Sequence, residues 1–131
     1  MPAQCTYDYA VIRVVPRVER EEFVNVGVIV SCPEKQFLEA RIELDEKRLA
    51  ALDATLDVEA IRTHLATIPA IAAGGEGAGP IGKLAARERF RWLIAPRSTV
   101  IQASAAHTGR CDDPAALLEH LMATMVRPPR A

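Results

Sequence analysis

The stretch YDYAVIRVVPRVEREEFVNVGVIVSCPEKQFLEARIEL, residues 7–44, decides the fold. Residues 7–15 are rich in β-branched and aromatic side chains and largely apolar on both faces, which predicts an interior strand. Residues 23–32 predict a second strand, with one face of valines and an opposite face that is smaller and more polar. Residues 36–44 alternate apolar and charged side chains, which predicts a third strand with one wet face. Because short turns separate the three runs, they predict an antiparallel meander.

The second strand has an unusual pattern. Gly27 interrupts it, and a glycine inside a strand marks a bulge or the close approach of another group. We expect a helix to pack over Gly27. The even positions are expected to form one core face: Val24, Val26, Val28 and Val30.

The remainder of the chain is mainly helical in pattern. Asp45 is placed to cap a helix through residue 52, and Asp57 to cap a second helix that ends around Pro69. Residues 83–95 predict a helix that stops before Pro96, and residues 98–105 predict a fourth strand.

A last helix is predicted to start at Asp113 and Pro114. Its expected buried face consists of Leu117, Leu118, Leu121, Met122 and Met125. We therefore predict one α+β domain over residues 1–131, with an antiparallel sheet of about four strands and three to four helices packed mainly on one face. A flexible glycine-rich loop at 73–82 and a frayed tail at 127–131 complete the prediction.

Composition limits the function classes. The 131 residues carry 16 basic and 17 acidic side chains, a net charge of -1, which does not favour nucleic acid or an anionic membrane as a partner. No apolar run approaches the roughly 20 residues of a membrane-spanning helix. The three cysteines have no paired spacing, so we interpret them as thiols in a reducing compartment and expect a cytoplasmic protein.

The glycine-rich segment GEGAGPIGKL, residues 75–84, has most of the spacing of a phosphate-binding loop, from Gly77 to Lys83. Such a loop needs a strand before it and a Ser or Thr after the lysine. Here a predicted helix precedes the segment and Leu84 follows Lys83. We therefore interpret it as a linker and do not expect nucleotide binding.

A polar corner lies in APRSTVIQASAAHTGRCDDP, residues 95–114, with polar side chains before and after the predicted fourth strand. Each of them has a structural interpretation as turn or cap chemistry, and Asp113 as a helix cap. The alternative is an enzyme or an anion- or ligand-binding site. Its ligand-binding candidates are Arg97, Ser98, Thr99, His107 and Arg110, and its weaker catalytic candidates are His107, Asp112 and Ser98.

A metal site at His107 and Cys111 would lack the four ligands of a closed zinc site, so we predict no metal and no cofactor. Basic residues also surround Trp92 on the helix before Pro96. Arg87, Arg91 and Trp92 are candidates for a protein-partner surface. Single-stranded nucleic acid is a weaker alternative there, because Glu88 dilutes the charge.

Three segments together resemble the bacterial family DUF3037: residues 7–32, RERFRWLIAPRSTVIQ (87–102) and HTGRCDDPAALLEHL (107–121). The resemblance implies a small cytoplasmic bacterial protein and supplies no reaction. Family members are often encoded beside a HipA-like kinase, which implies an accessory role. We therefore expect a non-catalytic accessory or protein-interaction module, bound to a protein partner or homodimeric. A small enzyme or ligand-binding domain at the polar corner remains the alternative.

Overall fold

The computed structural model describes residues 4–97 and 99–129. The strands are β1 (Cys5–Val14), β2 (Val24–Cys32), β3 (Phe37–Ile42), β4 (Ile101–Ala103) and β5 (His107–Cys111). The helices are α1 (Glu46–Leu52), α2 (Val58–Ala73), α3 (Gly79–Gly82), α4 (Ala86–Ile94) and α5 (Pro114–Leu121), which a π-helical turn (Met122–Val126) continues. Short 3₁₀ turns occupy Val18–Arg20, Pro33–Lys35 and Glu76–Ala78.

One antiparallel sheet organises the chain, which confirms the predicted α+β class. The strand order is β3-β2-β1-β4, and β5 also pairs with β1. The first half of β1 pairs with β5, with Tyr9 opposite His107, while its second half pairs with β4, with Ile12 opposite Ala103. The fourth strand is therefore shorter than the predicted 98–105, and β5 is a strand that the sequence pattern did not predict.

Strand β5 lacks the alternating apolar side chains that predict a strand, and its contacts with β1 explain its position. The Thr108 hydroxyl donates a hydrogen bond to the Asp8 carboxylate on β1. Gly109 lies opposite Tyr7, and a Cβ at Gly109 would collide with the Tyr7 hydroxyl. Pairing with a distant strand, rather than local propensity, holds these residues extended.

A β-bulge in β2 overturns the expectation that its four valines share a face. Ile12 pairs with Gly27 and Arg13 pairs with Asn25, which leaves Val26 as the extra residue. Because an extra residue reverses the alternation of side chains, the valines divide between the two faces of the sheet. Val24 and Val26 pack in one cluster, and Val28 and Val30 in the other.

Gly27 allows the close approach of a neighbouring strand, where we expected a helix. A Cβ at this position would lie 2.5 Å from the carbonyl oxygen of Arg41 and 2.6 Å from Cδ1 of Ile42, both on β3. The glycine thus permits the bulged strand to lie against β3.

Side-chain caps start three of the helices as predicted. The carboxylates of Asp45, Asp57 and Asp113 each accept a hydrogen bond from a backbone N–H in the first helical turn. Helix α2 continues past Pro69 to Ala73, four residues beyond the expected end.

The end of α5 departs from the predicted burial. Leu118, Leu121 and Met122 are buried, but Met125 is 38% exposed and Val126 is buried in its place. The π-helical turn has more residues per turn than an α-helix, so it moves position 125 away from the sheet.

Two hydrophobic clusters cover the two faces of the sheet. The larger one joins β1, β2 and β3 to α1, α2 and α4, so most of the helices lie on one face as predicted. The smaller one joins Val28 and Val30 to α5 and the π-helical turn on the opposite face. No helix within the described ranges is both long enough and apolar enough to span a bilayer.

The glycine-rich segment has short helical turns where we predicted a loop. The 3₁₀ turn Glu76–Ala78 leads into α3, and the Gly75 N–H donates a 2.9 Å hydrogen bond to the Gly82 carbonyl. Gly82 is buried, and a Cβ there would lie 2.6 Å from the carbonyl oxygen of Gly75. The backbone closes on itself, and the element before it is helix α2, as predicted.

Candidate functional site

A half-open cavity of about 680 Å³ lies between α2, α4, β4 and the second half of β1. We refer to it as the α2–α4 cavity. Its apolar lining consists of Ile12, Leu56, Ala60, Ile61, Ile68, Trp92, Leu93, Val100, Ile101 and Ala103. Its polar lining consists of Asp57, His64, Thr67, Arg97, Thr99 and Gln102.

One side of α2 forms a wall of this cavity. Residues at spacings of three and four along a helix share a face, and the α2 lining residues follow that spacing from the Asp57 cap to Ile68. Ile61 is buried, whereas His64 and Thr67 are exposed at the margin of the stripe. Our sequence interpretation omitted both residues, although their places beside the apolar stripe of α2 would have identified them.

Trp92 and Arg97 form another part of the lining. The guanidinium carbon of Arg97 lies 4.5 Å from the centre of the Trp92 ring, a cation–π contact. Arg97 also donates hydrogen bonds to the carbonyl oxygens of Leu93 (3.2 Å) and Trp92 (2.8 Å) at the end of α4. A positive charge at a helix C-terminus is favourable, so Arg97 caps α4 while its plane covers the indole.

Polar side chains make hydrogen bonds within the segment from Thr99 into β4. The Thr99 hydroxyl donates a 2.9 Å hydrogen bond to the Ile101 carbonyl. Nε2 of Gln102 donates a 2.8 Å hydrogen bond to the Thr99 carbonyl. Both side chains line the cavity with part of their hydrogen-bonding capacity already used by the backbone. Ser98, the third candidate before the strand, lies outside the described residues.

The second half of the polar corner lies elsewhere. The His107 ring stacks on Tyr9, with centroids 5.1 Å apart, and Tyr9 packs against the smaller cluster on the opposite face. Arg110 contacts the Gln4 carbonyl at 3.4 Å, and the backbone carbonyl of Asp112 accepts a hydrogen bond from Lys35. The structure therefore separates the two ends of the predicted corner, because β5 continues beyond β4 along β1 toward the start of that strand.

The partner-surface candidates lie on α4 with different environments. Arg87 approaches Asp8 of β1 at 3.9 Å. Arg91 is exposed, and Trp92 keeps 40% of its surface exposed although it lines the cavity. Within residues 4–97 and 99–129, no three His, Cys, Asp or Glu side chains are arranged to hold a metal ion.

Comparison with known proteins gives a family and no relative of known activity. No curated protein and no solved structure matches the chain. The family model described as "Protein of unknown function (DUF3037)" matches residues 9–126, nearly the whole chain, which confirms the resemblance found in the sequence. The chain belongs to the DUF3037 family.

Proposed function

We propose that this chain is a non-catalytic binding module that holds a small, mainly apolar molecule in the α2–α4 cavity. The observation that carries this proposal is the cavity itself. Its volume of about 680 Å³ falls within the roughly 300–1,000 Å³ of small-molecule sites. Apolar side chains line most of it, with a few polar groups at defined places, which is the usual composition of such sites.

The polar groups of the cavity suit orientation rather than chemistry. Asp57 accepts the N–H of Ala60, and the hydroxyls of Thr67 and Thr99 donate to backbone carbonyls. Among the described lining residues, these two threonines supply the only hydroxyls, and both donate to backbone carbonyls, Thr67 to that of His64 and Thr99 to that of Ile101, rather than to a side-chain base. A nucleophile needs such a base for activation, so binding is favoured over catalysis.

The same lining indicates the polarity of the ligand. A guanidinium has five N–H donors, and Arg97 donates two hydrogen bonds to α4 carbonyls. The other donors of Arg97 and the imidazole of His64 are available to a hydrogen-bond acceptor on the ligand. We infer an apolar body with one acceptor group.

A dye-binding titration that compares the wild type with a cavity-filling variant tests the proposal. Anilinonaphthalene sulfonate, an apolar fluorophore with one acidic group, is titrated into the wild type and into Ala60→Phe. Ala60 lies on α2 and lines the cavity, so a phenyl ring there fills it. The matched control is Ala66→Phe, because Ala66 is exposed on the same helix outside the lining.

The proposal expects micromolar dye binding by the wild type and by Ala66→Phe, and at least tenfold weaker binding by Ala60→Phe. Equal affinity of all three proteins contradicts it. Circular dichroism of each variant checks that the helices are intact.

A second candidate function is docking of a protein partner on α4. Trp92 is 40% exposed beside the exposed Arg91, and Trp and Arg are enriched at interface hot spots. The family resemblance supports a HipA-like kinase as that partner, in a bacterial cytoplasm. Copurification of the kinase with the wild type, lost in Arg91→Glu and retained in Glu88→Gln, is the expected result. Retention of the kinase by both variants would remove this candidate, and elution of the isolated chain as a dimer would favour self-association instead.

A further inference from the structure

Three cysteines that are far apart in sequence converge at one end of the sheet. Cys5 begins β1 and Cys111 ends β5, and the two residues lie directly opposite each other in the antiparallel ladder. Cys32 ends β2, near enough to Cys111 to raise the pKa of the Cys111 thiol. The sequence spacing gave no indication of this cluster.

Strand geometry selects one pair within the cluster. Directly opposite residues in an antiparallel ladder have Cα atoms about 4.5–5.5 Å apart, within the roughly 4.4–6.8 Å that a disulfide requires. Cys5 and Cys111 meet this condition. Cys32 lies on β2, which β1 separates from β5, and two strand spacings amount to roughly 9–10 Å. A bond from Cys32 to Cys111 would therefore require backbone movement.

Exposure makes Cys111 the point of entry for a reagent. Cys111 is partly exposed, whereas Cys5 is 7% exposed and Cys32 is fully buried. Burial raises the pKa of the Cys111 thiol, and the neighbouring Cys32 raises it further, while the Lys35 ammonium acts in the opposite direction. Burial and the Glu34 carboxylate likewise raise the pKa of Cys5. The thiolate is the reactive form, so oxidation will be slow at neutral pH and faster in mild alkali.

We propose that Cys5 and Cys111 are an oxidation site, and that a small-molecule disulfide such as oxidised glutathione converts them to an intramolecular disulfide. The Cys111 thiolate attacks one sulfur of glutathione disulfide, which forms a mixed disulfide and releases one glutathione thiolate. The Cys5 thiolate then attacks the Cys111 sulfur and releases the second. The protein loses two protons and two electrons, and the oxidant is reduced to two thiols.

The bond would join the start of β1 to the end of β5. Cys111 comes two residues before Asp113, which caps α5. Lys35 also holds the intervening Asp112 carbonyl. Oxidation would therefore fix the connection through which α5 is attached to the sheet, and a cross-link between two distant residues lowers the entropy of the unfolded chain.

Peptide mapping of the oxidised full-length chain tests the assignment. The reduced protein is incubated with oxidised glutathione at pH 8.5, blocked with an alkylating reagent, digested without reductant and analysed by mass spectrometry. The expected result is a loss of two of the three thiols, a linked pair of peptides containing Cys5 and Cys111, and an alkylated Cys32.

Variants separate the two steps. Cys5→Ser should stop at a stable glutathione adduct on Cys111, whereas Cys32→Ala should form the same disulfide as the wild type. The wild-type rate should rise roughly tenfold per pH unit below the thiol pKa. A wild type that accumulates a stable glutathione adduct, links Cys32 to Cys111, or forms an intermolecular dimer overturns the proposal. The wild-type map decides the assignment even if a variant folds poorly.

Discussion

The guanidinium carbon of Arg97 lies 4.5 Å from the centre of the Trp92 ring, and the guanidinium nitrogens donate hydrogen bonds to the carbonyls of Trp92 and Leu93 at the end of α4. A single side chain thus completes a helix and fixes one wall of the α2–α4 cavity. Its planar guanidinium suits both tasks, because it can stack on a ring while its N–H groups donate in the plane.

Arg97→Gln should destabilise the fold and loosen this wall. The substitution removes a cation–π contact worth about 0.5–1 kcal/mol and hydrogen bonds worth about 0.5–1.5 kcal/mol each. We expect a loss of roughly 1.5–4 kcal/mol in the free energy of unfolding, measured by urea denaturation. Arg97→Lys keeps the charge without the planar fork, and it should fall between the wild type and the glutamine variant. Equal stability of Arg97→Gln and wild type would show that the stack is not formed in solution.

Gly27→Ala tests the β-bulge and the approach of β3. The new Cβ would lie 2.5 Å from the Arg41 carbonyl oxygen and 2.6 Å from Cδ1 of Ile42, so β3 would have to move. Overpacking of this kind costs about 1–3 kcal/mol, and the thermal midpoint should fall accordingly. Gly77→Ala is the control, since nothing lies within 4 Å of its added Cβ and its stability should change little. A neutral Gly27→Ala would contradict the described register.

Glu119 should contribute to the stability of the fold above pH 4.5 and lose that contribution in acid. Hydrogen bonding by Arg127 lowers the pKa of Glu119 from its ordinary value of 4.5, and the charges of Arg127 and Arg41 lower it further. A group with a lowered folded-state pKa stabilises the folded state above its unfolded-state pKa and loses this contribution as the pH falls. The urea midpoint of wild type should therefore fall between about pH 5 and pH 3 more steeply than that of Glu119→Gln.

The carboxylate is exposed, so the effect should be small and should shrink in high salt. Glu39→Gln, on the exposed side of β3, controls for the loss of one negative charge. If Glu119→Gln and wild type have parallel acid profiles, the ion pairs with Arg127 and Arg41 do not stabilise the fold.

Sequence patterns within a few residues of each other correctly predicted the strands and helix starts that depend on neighbouring residues. The three strands of the meander and the caps at Asp45, Asp57 and Asp113 follow from alternation and from side chains that accept the first N–H groups of a helix. Leu38, one of the apolar residues in the alternating run 36–44, is buried in the larger cluster.

Non-local contacts decided what the sequence could not predict. The bulge at Val26 depends on how β2 pairs with β1, and it divides the four valines between two faces. The polar residues 107–111 become β5 because they pair with β1, about 100 positions earlier in the chain. That pairing moves His107 away from Arg97 and leaves His64, from α2, in the lining of the cavity.

Energy transfer from Trp92 to a bound dye tests the central claim most directly. Trp92 is the only tryptophan in the chain, and it lines the α2–α4 cavity, so its emission reports on a molecule bound there. Anilinonaphthalene sulfonate absorbs in the range of tryptophan emission. We predict that one dye binds per chain and strongly quenches the emission of Trp92. The apparent affinity measured from this quenching should fall at least tenfold in Ala60→Phe and stay unchanged in Ala66→Phe. Dye that binds without quenching Trp92, or no saturable binding at all, would contradict a ligand site in this cavity.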